Sequence, residues 1–165
     1  GPLAFETLNE LRNRGVNAHL HVVGCQPPEF HINEYVTVYG LLNKDDPKQA
    51  KQFVSLYRDA HFFVMPSYES YGFAFCEASA YGLPSICLRV GGVPIVDGIN
   101  GYALPSDANA SAFAEQIERL LESPGEYLKL RGSTRDYYEK HLNWQSWAQK
   151  VSALVAANIQ DHKGE

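Results

Sequence analysis

The fold is decided by residues 61–90, whose sequence is HFFVMPSYESYGFAFCEASAYGLPSICLRV. An apolar run over residues 61–65 is closed by a proline, which predicts a buried strand that ends in a loop over residues 66–72. Residues 73–81 then have the composition of a helix, which a Gly-Leu-Pro sequence would end. The next apolar run, residues 85–90, predicts a second strand. This order predicts two parallel strands joined by a crossover helix.

The same alternation continues towards the amino terminus. Helical spacing predicts a helix over residues 3–14, and apolar runs predict buried strands over residues 18–23 and 35–39. Asp46 is suited to cap a helix and Pro47 to occupy its first position, so a helix of about three turns should follow.

Towards the carboxyl terminus the sequence predicts helices. One apolar face carries Phe113, Ile117, Leu120 and Leu121, and a second carries Trp144, Trp147, Val151, Leu154 and Val155. Asn143 is a candidate cap for the last helix. We interpret the two tryptophans as packing residues, because helical spacing is typical of a packed face.

Alternating strands and helices predict an α/β domain with a doubly wound, Rossmann-like parallel sheet and helices on both faces. Ligands of such sheets bind at the carboxyl ends of the strands. The loops at residues 24–31, 40–46, 66–72 and 91–101 should therefore share one edge.

Composition limits the partners of this domain. The 165 residues carry a net charge of −5, so no basic field attracts nucleic acid or an anionic membrane surface. Three cysteines without a CxxC pair favour a reducing, cytoplasmic setting. Because Gly1-Pro2-Leu3 leads directly into a helix, without the opening strand of an α/β fold, we expect the chain to be one domain, residues 1–165, of a larger protein.

Two carboxylates mark the candidate site. Glu69 lies in the loop after a strand, and Glu77 lies in an otherwise apolar helix, where it needs a partner. Gly72 permits close backbone approach, and the N–H groups of the following helical turn suit a phosphate. Glu77 could then bind ribose and Glu69 the group beyond the phosphate of a nucleotide-sugar. Spacing alone leaves a second interpretation equally open. In it, Glu77 pairs with a buried Arg or Tyr, and Glu69 is a solvated acid of the loop.

A specific resemblance appears when the segment is extended to Pro105. Its motifs are Glu69, Gly72-Phe73, Glu77, Ala80-Tyr81-Gly82-Leu83-Pro84, Gly91-Gly92-Val93-Pro94 and Asp97-Gly98-Ile99-Asn100-Gly101, preceded by the strand ends Val22-Val23-Gly24 and Val38-Tyr39-Gly40. This series resembles the signature region of the retaining, GT-B type glycosyltransferases of glycosyltransferase family four. The similarity covers nearly the whole chain.

The resemblance implies a role for each matched position. Glu77 matches the acid that holds the nucleotide ribose, and Glu69 the acid that contacts the transferred sugar and is the catalytic candidate. The backbone of Ser70, Tyr71, Gly72 and Phe73 matches the pyrophosphate cradle, and Gly40, Leu41 and Leu42 lie where the base is bound, next to Gly24 at the neighbouring strand end. These enzymes use a nucleotide-diphosphate sugar and need no metal or other cofactor.

Two departures from the family pattern affect the expected site. Ile95 follows Pro94 where the family usually has Glu, and the segment before Asp97 is shorter, which leaves the position of the loop near the donor open. The family's phosphate-binding Arg and Lys, and its amino-terminal acceptor domain, would lie upstream of Gly1. Any peripheral association with a membrane would come from that longer protein.

The resulting prediction is the donor-binding half of a glycosyltransferase, inactive by itself. The alternatives are a non-catalytic module that binds a nucleotide or glycan, and a nucleotide-sugar epimerase of similar architecture. Other candidate groups have weaker support: His19 and His21 share a strand face but lack a third metal ligand, and Cys76 at a helix start lacks an obvious His partner.

Overall fold

The computed structural model describes residues 1–161, with side chains as far as residue 156. Five strands and six α-helices are formed in this part of the chain. In chain order they are α1 (Pro2–Asn13), β1 (Leu20–Val23), β2 (Val36–Gly40), α2 (Pro47–Asp59), β3 (Phe63–Met65), α3 (Phe73–Ala80), β4 (Ser85–Leu88), β5 (Gly101–Leu104), α4 (Ala110–Leu121), α5 (Pro124–Tyr137) and α6 (Trp144–Asp161), with a 3₁₀ turn at Glu29–His31 and a π-helical turn at Tyr138–Leu142.

Every strand pair is parallel, as the alternation of elements predicts. β1 pairs with β2, with Leu20 opposite Val36. β4 lies between β3 and β5, with Ile86 opposite Val64 on one side and Tyr102 on the other. Within residues 1–161 the β1–β2 pair and the β3–β4–β5 sheet are not hydrogen-bonded to each other.

Helices cover both faces of the three-stranded sheet, which confirms the predicted α/β architecture. On one face, Leu11 of α1 and Phe113 of α4 pack in a buried cluster with Ile86 of β4. On the other face, Phe75 of α3 packs against Cys87 of β4. Burial of these large apolar side chains is the main source of the stability of the sheet.

Two predicted helix caps are confirmed. The Asp46 carboxylate accepts hydrogen bonds from the backbone N–H groups of Lys48 and Gln49 at the start of α2. The Asn143 side-chain oxygen accepts one from Ser146 N–H, at 2.8 Å, at the start of α6. Each cap satisfies donors that the first turn of a helix leaves free.

Strand β5 is an element that the sequence analysis missed. It has only four residues, and it lies where a loop was predicted to pass directly into helices. Its first residue, Gly101, has a φ of +150°, and a Cβ there would lie 2.0 Å from the Ser85 carbonyl oxygen. This close approach of two backbones is the reason for a glycine at that position.

The interpretation of the tryptophans as packing residues is wrong for most of their surface. Trp144 is 70% exposed and Trp147 is 57% exposed. Trp144 stacks on Phe73 with ring centroids 5.8 Å apart, and Trp147 contacts Trp144 edge-on at 5.9 Å. Helical spacing identified a shared face, but it could not show whether another element covers that face.

None of the helices in the described part of the chain is long and apolar enough to cross a membrane.

Candidate functional site

The start of helix α3 is built around Gly72. Gly72 adopts a φ of +77°, and a Cβ at this position would lie 2.6 Å from a ring carbon of Phe75. The helix begins at the next residue, and within residues 1–161 the N–H groups of Phe73 and Ala74 have no acceptor. Free N–H groups at the positive end of a helix dipole attract anions.

Glu77 projects from the second turn of α3 and is held by two partners. Lys44, in the loop after β2, places its Nζ 2.5 Å from Glu77 Oε1. The Tyr57 hydroxyl of α2 donates to Oε2 at 3.4 Å. Burial, and then the adjacent Glu77 charge, raise the pKa of Tyr57, so its hydroxyl stays protonated as a donor. Because 39% of the Glu77 side chain is still exposed, its carboxylate can accept further hydrogen bonds from a ligand.

Lys44 is the site residue that sequence reasoning missed. Its ammonium also lies 4.3 Å from the centroid of the Phe53 ring, in a cation–π contact. The sequence did place Lys44 near the site, because the loop after one parallel strand shares an edge with the loops after the others. What the sequence could not show is which acid of that edge it meets.

Glu69 is held through both its side chain and its backbone. Ser67 Oγ donates to Glu69 Oε1 at 2.9 Å. Gly92 N–H donates to the Glu69 carbonyl at 3.0 Å, next to a parallel bridge between Glu69 and Gly91. The predicted meeting of the loops over residues 66–72 and 91–101 is therefore observed.

Gly91 and Gly92 allow the two loops to come into contact. A Cβ at Gly91 would lie 2.0 Å from the Glu69 carbonyl oxygen, and one at Gly92 would lie 2.2 Å from the Ser70 carbonyl oxygen. Ile95, at the position where the resemblance leads one to expect a Glu, is buried beside Phe75. The shorter segment around Ile95 therefore still contacts the Glu69 loop.

Side chains of the Asp-Gly-Ile-Asn-Gly motif hydrogen-bond to the backbone around this segment. Asp97 accepts a hydrogen bond from Ala103 N–H and pairs with Arg89, with 2.5 Å between Arg89 Nη2 and Asp97 Oδ2. The fully buried Asn100 side chain bridges the backbone of Pro94 and Val96. These residues position the Gly91-Gly92 loop.

The remaining predicted donor residues lie at strand ends or on the exposed loop. Gly24 directly follows β1 and Gly40 is the last residue of β2, and Gly24 N–H donates to the Gly40 carbonyl at 2.7 Å. Leu41 is 86% exposed, and Leu42 is half-buried. Three further predicted residues, Ser70, Tyr71 and Phe73, are exposed around the start of α3.

The residues with weaker support in the sequence analysis have contacts that explain them without a metal or a catalytic role. His19 and His21 lie side by side but hydrogen-bond to Thr37 and Tyr39 across the strand pair. No group of three potential ligands among the described side chains could hold a metal ion. Burial raises the pKa of the Cys76 thiol, so Cys76 fits a small buried residue better than a nucleophile.

Comparison with solved structures defines the class of the fold. Sucrose-phosphate synthase from Thermosynechococcus elongatus matches with a TM-score of 0.73 and 24% identity over 96% of this chain and 43% of that one. The Anabaena HepE structure in complex with UDP matches with a TM-score of 0.73 and 15% identity over 95% of this chain and 46% of that one. The fold is that of a GT-B glycosyltransferase domain.

The sequence comparison identifies the family. The model of the family described as glycosyl transferases group 1 matches residues 3–123, and the chain belongs to this family. A D-inositol 3-phosphate glycosyltransferase of Streptomyces bingchenggensis is 32% identical over 120 residues, which are 71% of this chain and 26% of that protein. The enzyme of the same name from Corynebacterium diphtheriae is 28% identical over 93% of this chain and 39% of its own length. The chain thus spans about a quarter to two fifths of these two relatives.

Proposed function

We propose that this domain binds a nucleotide-diphosphate sugar and that, within a longer protein, it transfers the sugar with retention to an acceptor hydroxyl. The observation that carries the proposal is Glu77, which Lys44 and Tyr57 hold one turn inside α3 with part of its side chain exposed. In this position it can accept hydrogen bonds from the vicinal hydroxyls of ribose.

The start of α3 would receive the diphosphate. The N–H groups of Phe73 and Ala74 and the positive end of the helix suit its charge, and Gly72 leaves the backbone uncovered. The solved structure of Anabaena HepE, which has the same fold, is a complex with UDP. A nucleoside diphosphate is therefore the ligand class that we propose here.

Glu69 would contact the transferred sugar. In the proposed reaction the bond between the anomeric carbon and the diphosphate oxygen breaks, and its electron pair stays on the diphosphate. The acceptor oxygen bonds to the same face of that carbon, and its proton passes to the departing diphosphate. Preorganised N–H groups at α3 would stabilise the charge that develops on the leaving group.

The binding step can be tested on the chain itself by calorimetry with UDP. Glu77→Gln removes the charge but keeps the size of the side chain. Loss of a charge-assisted hydrogen bond costs about 1.5–3 kcal/mol, so affinity should fall roughly ten- to a hundredfold. The matched control is Glu122→Gln, an exposed acid at the end of α4, which should bind as the unchanged chain does. Equal affinity of the Glu77 and Glu122 variants would remove the ribose assignment.

A further inference from the structure

Tyr57 of α2 carries a hydroxyl into an otherwise apolar cluster. The residue is only 9% exposed and packs with Ala78 and Leu83. A phenylalanine would fill the same space, and a buried hydroxyl is costly unless it has a partner. Among the described side chains the partner of this hydroxyl is the Glu77 carboxylate, whose Oε2 lies 3.4 Å away. The contact with Glu77 is therefore the feature that favours tyrosine over phenylalanine at this position.

Three aromatic neighbours fix the orientation of the Tyr57 ring. Tyr81 stacks on it with ring centroids 5.5 Å apart. Phe53, four residues earlier on the same face of α2, contacts it edge-on at 4.9 Å. Phe63 of β3 lies 6.0 Å away in a tilted arrangement. Because aromatic pairs favour such stacked and edge-on geometries, the Tyr57 hydroxyl is held at one place beside Glu77.

Lys44, the other partner of Glu77, is held less firmly. Its side chain is more than half exposed, although its ammonium also lies over the Phe53 ring. A lysine ammonium is a point charge on a flexible stem, and salt screens an exposed ion pair. The Tyr57 hydroxyl sits instead on a rigid ring inside the cluster. Of the two partners, Tyr57 is the one that fixes the direction of the Glu77 carboxylate.

The two partners leave part of the Glu77 carboxylate free to accept hydrogen bonds. An ionised carboxylate has about four lone-pair sites, shared between its two oxygens. Lys44 donates to Oε1 and Tyr57 donates to Oε2, so each oxygen keeps a free site. The two hydroxyls of a vicinal diol can donate to both oxygens at once. Whether both free sites face the diol depends on the orientation of the carboxylate, which Tyr57 fixes.

We propose that Tyr57 is a positioning residue that orients Glu77 towards both hydroxyls of ribose, and that it thereby makes the site prefer a ribonucleotide to its 2′-deoxy counterpart. This inference rests on the proposed function and adds the residue that sets the sugar preference of the nucleotide. A site built to bind a hydroxyl rejects an analogue that lacks it, because a polar group of the site is left unpaired. A Glu77 carboxylate without the Tyr57 contact can turn towards the remaining hydroxyl or towards water, and the preference then shrinks.

The test measures the affinities of residues 1–165 for UDP and for 2′-deoxy-UDP by calorimetry. The unchanged chain should bind UDP roughly tenfold more tightly than 2′-deoxy-UDP. Tyr57→Phe keeps the ring and removes the hydroxyl, so it should weaken UDP about fivefold and 2′-deoxy-UDP less than about twofold, with little change of Tm. The matched control is Tyr127→Phe, which removes a hydroxyl that donates to the His61 carbonyl at 3.0 Å and should leave the ratio of the two affinities unchanged.

A double variant separates this inference from the proposed function. If Tyr57 acts through Glu77, adding Tyr57→Phe to Glu77→Gln should not change the affinity ratio further. An unchanged ratio in Tyr57→Phe, while Glu77→Gln still weakens UDP, would overturn the role of Tyr57 and leave the donor site standing. A lower Tm with equal weakening of both ligands would make Tyr57 a packing residue and would overturn the proposal as well. Failure of the unchanged chain to bind UDP would remove the donor site, and this inference with it.

Discussion

At the scale of single residues, Lys44 allows ligand binding to be separated from folding. Its ion pair with Glu77 joins two half-exposed side chains, and exposed pairs contribute little to stability. Its ammonium nevertheless lies against the Glu77 carboxylate, at the proposed ribose site. Lys44→Ala should therefore lower UDP affinity about tenfold, or ~1.4 kcal/mol, with almost no change of Tm.

The control for Lys44 is Lys51→Ala, an exposed lysine of the adjacent helix α2. It should retain both affinity and Tm. Calorimetry and thermal melts of the two variants give the comparison. If Lys44→Ala lowered Tm and left affinity unchanged, Lys44 would be a structural partner of Glu77 alone.

The cysteines make a second prediction at this scale. Cys25 is exposed, whereas Cys76 and Cys87 are buried. Burial raises the pKa of the Cys76 thiol and raises that of Cys87 to about 12, so both stay protonated near pH 8. Iodoacetamide at pH 8 should therefore label Cys25 first, as peptide mass spectrometry would show. Labelling of Cys76 as fast as Cys25 would restore Cys76 as a candidate nucleophile.

Local sequence patterns predicted individual residues of the site better than the contacts between those residues. A glycine before an apolar helix indicated the backbone geometry of Gly72, and an acid in that helix indicated that Glu77 needs a partner. The identity of that partner depends on a contact between Lys44 and Glu77, 33 positions apart in the chain. Spacing within one segment carries no information about such a contact.

At the scale of elements, the cap of α2 predicts a pH dependence of stability. Hydrogen bonds from the N–H groups of Lys48 and then Gln49 lower the pKa of Asp46. A carboxyl whose folded pKa is depressed stabilises the fold above its unfolded pKa, and this contribution is lost as pH falls through the folded value. Asp46→Ala should thus lower Tm at pH 7, and its difference from the unchanged chain should shrink as pH falls below about 4.

The neighbouring acid supplies the control for this cap. Asp45→Ala removes an exposed carboxylate that does not cap α2 and should leave the pH profile of Tm unchanged. Thermal melts of the three proteins between neutral and acidic pH measure the effect. A constant Tm difference between Asp46→Ala and the unchanged chain at all pH values would contradict the charge-based account.

Helices that begin with their own capping residues could be predicted from the sequence, whereas a strand that is defined only by its pairing could not. Asp46-Pro47 and Asn143 define helix starts through their own side chains and backbone. β5 has no such signal, because its four residues are fixed by pairing with β4. The exposure of Trp144 and Trp147 was equally hidden, since periodicity identifies a face but not what lies opposite it.

At the scale of the whole molecule, parallel strands and two-sided helix cover followed from the order of elements alone. The division into two sheets did not, because strand pairing brings together segments that are distant along the chain. The same holds for the site: loops after three different strands contribute Lys44, Glu69 and Gly91, and only the complete fold brings them to one edge. Under the proposed function this edge binds the donor, but transfer also requires an aligned acceptor.

The last prediction concerns that requirement: residues 1–165 alone should transfer no sugar even when they bind UDP. Alignment of two reactants and exclusion of water are worth up to about 7–11 kcal/mol of the barrier, and the exposed edge around Leu41 and Phe73 provides neither. A longer protein of the relatives' length should transfer labelled sugar to an acceptor. In it, Glu69→Gln should depress turnover much more than donor affinity, whereas Glu122→Gln should change neither. Comparable turnover by residues 1–165 and by the longer protein would show that this domain holds the acceptor itself.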